Sequence, residues 1–112
     1  MNRGGKAYTA QVEATRTLVL ERLAYWSAVY GISFGRVAIR KQKSRWGSCS
    51  SVGNLNFNYR LGFLPKELMD YVVVHELCHI KEYNHSKNFW NLVGQAYPNY
   101  IQLRKQLETY RF

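Results

Sequence analysis

Tyr71-Val72-Val73-Val74-His75-Glu76-Leu77-Cys78-His79-Ile80, continued by Lys81-Glu82-Tyr83-Asn84-His85, decides how the rest of the chain is read. Histidines four apart on a helix lie one turn above each other, so both imidazoles can grip one ion from the same face. Glu76 borders that face, placed to touch a water on the ion rather than the ion itself. This is the H-E-x-x-H pattern of zinc metallohydrolases, two ligands and a general base. His85 is available as a third ligand, which leaves a fourth tetrahedral position open, as in a catalytic rather than a structural zinc site. The chain has 3 histidines, all within this segment. The apolar run Val72-Val73-Val74 argues against a solvated surface helix, because unpaired polar groups are costly to bury.

Pro65 fits the first turn of this helix, with Glu67 and Asp70 near its positive end. Leu68, Val72, Val73, Leu77 and Ile80 wrap most of its circumference, which predicts the central, most buried element. Asn84 is a candidate left-handed residue to end it and return His85 beneath the metal. Ser86 can cap a following helix whose inner face is Phe89, Trp90, Val93 and Ala96, broken at Tyr97-Pro98. A last helix is expected from about Asn99 to Tyr110, with Tyr100, Leu103, Leu107 and Tyr110 on one face.

Upstream, Val12, Val19, Leu23, Trp26 and Tyr30 recur at helical steps from about Thr9 to Tyr30, and Gly31 can terminate that helix. Met1–Lys6 reads as a short disordered leader. Val37–Lys41 and Leu55–Tyr59 alternate as strands, with Ser44–Asn54 as the turn, so an antiparallel hairpin or part of a small sheet is expected. Leu55, Phe57 and Tyr59 share one face. Asn56 and Asn58 share the other, either as its wet side or beside an edge that offers N–H and C=O groups to an extended peptide. The pattern is α+β: a small sheet packed on the metal helix, flanked by N- and C-terminal helices.

A chain of 112 residues is read as one domain, 1–112. No apolar run is long enough to cross a membrane, and no signal-peptide core is visible, so the cytoplasm is the expected compartment. Cys49 and Cys78 lack C-x-x-C spacing and read as reduced thiols, Cys78 as packed core or as a fourth ligand. The formal charge of +9 is uneven. Arg36, Arg40, Lys41, Lys43 and Arg45 form a basic run that is a solvated face, a contact for nucleic acid or nucleotide phosphates, or a groove for an acidic substrate.

At Arg45-Trp46-Gly47-Ser48-Cys49-Ser50, Gly53-Asn54-Leu55-Asn56-Phe57-Asn58, Val72 to His79, Asn84-His85-Ser86 and Phe89-Trp90, the chain resembles the YgjP-like metallopeptidase domain family. More distantly it is similar to WLM and SprT-like (Spartan-type) zinc proteases. The resemblance spans roughly Arg36 to Leu107. It implies a minimal zincin-like fold, one zinc per chain on His75, His79 and His85, Glu76 as catalytic acid/base, and a polypeptide substrate. Members of the family are expected to be longer, with further N-terminal structure. The His79–His85 spacing equals that of metzincins, but Glu82 stands where they carry Gly, so the chain is not placed with them. Arg45, Trp46, Asn56 and Asn58 are the substrate-binding candidates. Arg45, Tyr59, Tyr83 and Tyr97 are each chemically able to stabilise an oxyanion, and the sequence does not choose among them.

The leading reading is therefore a zinc-dependent hydrolase, and within that class a peptidase. A metal-dependent nucleotide phosphohydrolase is the alternative, although no P-loop or clustered acidic metal site accompanies it. A zinc-stabilised nucleic-acid-binding module is a further one, although a structural zinc needs no base beside it.

Overall fold

The computed structural model describes residues 3–112. Its elements in order are helix α1 (Arg3–Tyr30), strands β1 (Val37–Arg40), β2 (Gly47–Cys49) and β3 (Leu55–Asn58), a 3-10 turn (Tyr59–Phe63), then helices α2 (Lys66–Cys78), α3 (Lys87–Ala96) and α4 (Tyr100–Leu107). The α+β class and the flanking helices are those the sequence predicts.

Leu68–Val74, Leu77 and Cys78 on α2 are buried, so the metal helix is the axis of the core. Pro65 sits at the N-cap, one position before the helix. The sheet lies on one side of α2, and α1, α3 and α4 cover others. α1 buries Val12, Val19 and Leu23 on the face their spacing predicts. Arg22 Nε reaches Asp70 Oδ1 at 2.8 Å, tying α1 to the middle of the fold. This ion pair is largely buried, where removing one partner strands the other's charge. Thr15, fully buried, donates to Tyr59 O at 2.7 Å. α1 begins at Arg3 rather than near Thr9. The leader expected over Met1–Lys6 is thus helical from Arg3 onward, and Met1 and Asn2 lie outside the described residues. Gly31 takes φ +67° and ends the helix, with Ile32 N donating to Ser27 O.

The sheet differs from the expected hairpin in its pairing. Its order is β1-β3-β2, with β1 parallel and β2 antiparallel to β3. The hairpin is β2–β3, closed by Ser50–Asn54, where Ser50 N donates to Asn54 O and Gly53 adopts φ +86°. β2 is too short, and too rich in Gly, Ser and Cys, to carry a visible alternation. Because β3 is central, the outer edge nearest α2 belongs to β2, not to the Leu55–Tyr59 segment.

Asn58 is correspondingly not on a wet face. It is fully buried, donates from Nδ2 to Gln42 O and Arg45 O at 2.9 Å, and accepts from Arg60 N at 3.0 Å. Its amide is consumed in capping the 3-10 turn and holding the Gln42–Arg45 loop. As a substrate-binding candidate it is withdrawn.

Candidate metal centre

His75 lies in the last turn of α2, and His79 is its C-cap residue, still right-handed at φ −64°, ψ −19°. The chain then turns through Ile80–Asn84, with Lys81 N and Glu82 N both donating to Cys78 O. Asn84 is not left-handed; no non-glycine residue among those described has positive φ. A series of ordinary turns returns the chain instead. Ser86 caps α3 as its position predicts, accepting from Phe89 N at 3.3 Å, and His85 sits immediately before that cap.

The ligating atoms of His75, His79 and His85 lie within 4.8 Å of one another. His79 Nδ1 is 3.1 Å from Glu82 O, and a carbonyl can only accept, so the proton is on Nδ1 and the Nε2 lone pair faces the site. That Nε2 is 3.0 Å from His85 Nε2. His75 Nδ1 lies 3.1 Å from Glu76 Oε2, which leaves its other nitrogen for a ligand. Three convergent imidazoles suit a borderline-soft ion such as zinc and not magnesium. The donor set fits the metal.

Aromatic rings hold the imidazoles in place. Phe89 stacks on His79 at 4.2 Å, and Trp90 stacks on His85 at 5.8 Å, both presented by the first turn of α3. Burial, then the neighbouring imidazoles, hold His79 and His85 below the ordinary histidine pKa. Both are therefore neutral, and ligand-competent, at pH 7. Cys78 points into the core and is not part of the cluster; burial pushes its thiol up to about 12.

Glu76 is 6% exposed and opens onto a cleft of about 520 Å³ shared with His75. β2 forms the floor beside it. A Cβ on Gly47 would stand 2.9 Å from Glu76 Cγ and 3.1 Å from Asn56 O, so only glycine fits this strand under the carboxylate. The opposite wall is α4 and the residues after it, Arg104 to Phe112, and Phe112 packs on Trp46 with ring centres 4.7 Å apart.

The other candidates fall into two groups. Arg45 and Trp46 line the cleft. Asn56 does not; its Oδ1 accepts from Arg40 Nε at 3.1 Å, on the sheet face away from Phe57. Tyr59 packs on Tyr8 of α1, and Tyr97 is buried between Trp26 and Tyr71. Tyr83 is exposed, its ring 6.4 Å from that of His79. Of the basic run, Arg36, Arg40, Lys41 and Lys43 are exposed outside the cleft, and Arg45 alone borders it.

Gly47, Tyr71 and Arg104 join the site without standing out in the sequence. Tyr71 could have been found, since it lies four residues before His75 on one helix face. Arg104 carries no local signal and becomes visible only when α4 docks.

The sequence profile of the YgjP-like metallopeptidase domain family matches residues 5–110. The chain belongs to the YgjP-like metallopeptidase family. Its class is thus that of a peptidase-type hydrolase, and the family extends across α1 as well as the Arg36–Leu107 segment that carries the motifs. Two solved structures share the YgjP-like chain's architecture. The metallopeptidase zymogen abylysin of Pyrococcus abyssi is 26% identical, with TM-score 0.74 over 81% of this chain and 92% of that one. The metallopeptidase zymogen jannalysin of Methanocaldococcus jannaschii is 19% identical, with TM-score 0.71 over 81% and 94%, and bears on the fold alone. No curated protein matches the sequence.

Proposed function

We propose that the protein is a zinc-dependent peptidase in which His75, His79 and His85 hold one ion and Glu76 is the general base. The observation that carries this reading is the convergence of three imidazoles beside a carboxylate that opens onto a substrate-sized cleft. Zinc, when bound, lowers the pKa of a water to about 7 and polarises a carbonyl. Glu76 takes the proton of the attacking water and delivers it to the leaving amide nitrogen. Its placement over Gly47 fixes the carboxylate against the β2 edge. The outward N–H and C=O groups of that edge suit an extended peptide laid across the cleft. Arg45, at the cleft rim, is the candidate among the four to meet the oxyanion. The free thiols Cys49 and Cys78 suit a reducing compartment such as the cytoplasm.

The test is elemental analysis followed by a panel of unfolded protein, short peptides and nucleoside triphosphates, with wild type and Glu76→Gln. One zinc per chain is expected in both proteins, with peptide cleavage reduced about a thousandfold in the variant. Hydrolysis confined to triphosphates would favour the nucleotide reading. A zinc-loaded wild type inert to the whole panel would favour a binding module.

A further inference from the structure

The cleft beside Glu76 is apolar along most of its wall, through Trp46, Val72, Leu107 and Phe112. Its polar groups outside the catalytic pair are unevenly used. Tyr71 is 1% exposed and lines the cleft, and its hydroxyl has no hydrogen-bond partner. A buried hydroxyl left unpaired costs free energy, and native proteins leave few such groups without a reason. Arg104, across the cleft on α4, is held by its guanidinium over the Trp90 ring at 4.7 Å, and Trp90 is itself stacked on Tyr100 at 4.8 Å. Among the described residues Arg104 makes no ion pair, and Glu108, one turn further along the chain and also lining the cleft, does not approach it within 4.0 Å. The cation is near enough for its charge to act on Tyr71.

Tyr71, with a buried and orphaned O–H, and Arg104, with an unpaired, stacked guanidinium, line one apolar cleft and together supply donors for a planar anion with an apolar neighbour. A guanidinium fork matches a carboxylate in two parallel hydrogen bonds, and a phenol can supply a third. We propose that Tyr71 and Arg104 form a carboxylate-binding subsite, so that the cleft selects peptides carrying a carboxylate next to a large apolar residue. The carboxylate belongs either to a free C-terminus or to an Asp or Glu side chain. This inference rests on the peptidase reading for its substrate class, but its geometry stands on Tyr71 and Arg104 alone.

Because a carboxylate also binds zinc directly, the experiment is run by calorimetry on both zinc-loaded Glu76→Gln protein and zinc-free protein. The probes are acetyl-Phe-Phe and its C-terminal amide, and acetyl-Phe-Asp-amide with acetyl-Phe-Asn-amide. The expected result is that at least one acid binds about ten- to a hundredfold tighter than its neutral partner in both preparations. The first pair reads a terminal carboxylate and the second a side-chain one. Arg104→Met should abolish the preference and Arg104→Lys restore part of it. Tyr71→Phe should reduce the preference severalfold while leaving thermal stability unchanged or raised, since it removes an unsatisfied hydroxyl. Equal affinity for acids and neutral partners, absence of binding by the acids, or a preference untouched by both Arg104→Met and Tyr71→Phe overturns the subsite. Acid preference without cleavage of any peptide keeps the subsite and sinks the peptidase reading; cleavage without acid preference does the reverse.

Discussion

The two sides of the candidate active site are built on opposite principles. The metal side is local: His75, His79, His85, Phe89 and Trp90 come from one continuous segment, the end of α2, a turn and the start of α3. The cleft side is assembled from distant parts, Trp46 and Gly47 where the chain enters β2 and Arg104 to Phe112 at the far end of the chain, meeting over Tyr71 and Glu76. A local site needs helical periodicity and a cap. An assembled one needs the whole core in place, so the two sides should fail differently when perturbed.

The largest effect is expected on the local side. His85→Ala removes one of three ligands and should weaken zinc binding by about a hundredfold or more, leaving the circular dichroism spectrum of the fold intact. Full zinc in the purified variant would show that the assignment of His85 is wrong. On the assembled side, Gly47→Ala forces a methyl against Glu76 Cγ and Asn56 O. The expected outcome is a loss of about ten- to a hundredfold in kcat with zinc content unchanged, because the base is displaced while the ligands are not. If zinc is lost along with activity, the two sides are mechanically coupled and the contrast is too sharp.

Arg22→Met tests what both sides share. It leaves Asp70 buried without its cation, and should cost about 2 kcal/mol in denaturant unfolding with the kcat of the folded protein unchanged. The smallest effect concerns alkali. Burial raises Cys49 to about 11 and Cys78 to about 12, and it raises Tyr30, Tyr71 and Tyr97 as well. The folded state therefore resists ionisation of these groups more than the unfolded chain does. Their contribution is complete below the unfolded thiol pKa of about 8.5 and is lost as pH rises toward the folded values. Thermal stability should be flat from pH 7 to pH 8 and decline steadily above about pH 9, less steeply in Cys78→Val. A midpoint unmoved between pH 8 and pH 11 would contradict it.

The same division explains what could be read from the sequence. The ligands, the Ser86 cap, the buried faces of α1 and α3 and the break at Tyr97-Pro98 all follow from spacings of a few residues, which local rules capture. The parallel pairing of Val37–Arg40 with Leu55–Asn58 does not, because register between strands with another strand between them in sequence is set by the core they cover. Asn58 misled for a related reason. Alternation places it on the polar face, but the chain leaves the strand at that point and turns the amide inward as a cap. Arg104 was mute in sequence, since a single cation on an amphipathic helix gains meaning only from what lies across from it.

α2 stops at Cys78, so the second imidazole projects from the last, least secured turn of the helix rather than from its interior. Helix ends fray, and they open far more often than the core. An ion gripped by His75, His79 and His85 would clamp that turn to the residue just before the α3 cap, lowering the rate at which the Leu77–Glu82 amides open to solvent. Deuterium uptake confined to this short segment would then read metal occupancy directly, in a protein whose core amides stay silent.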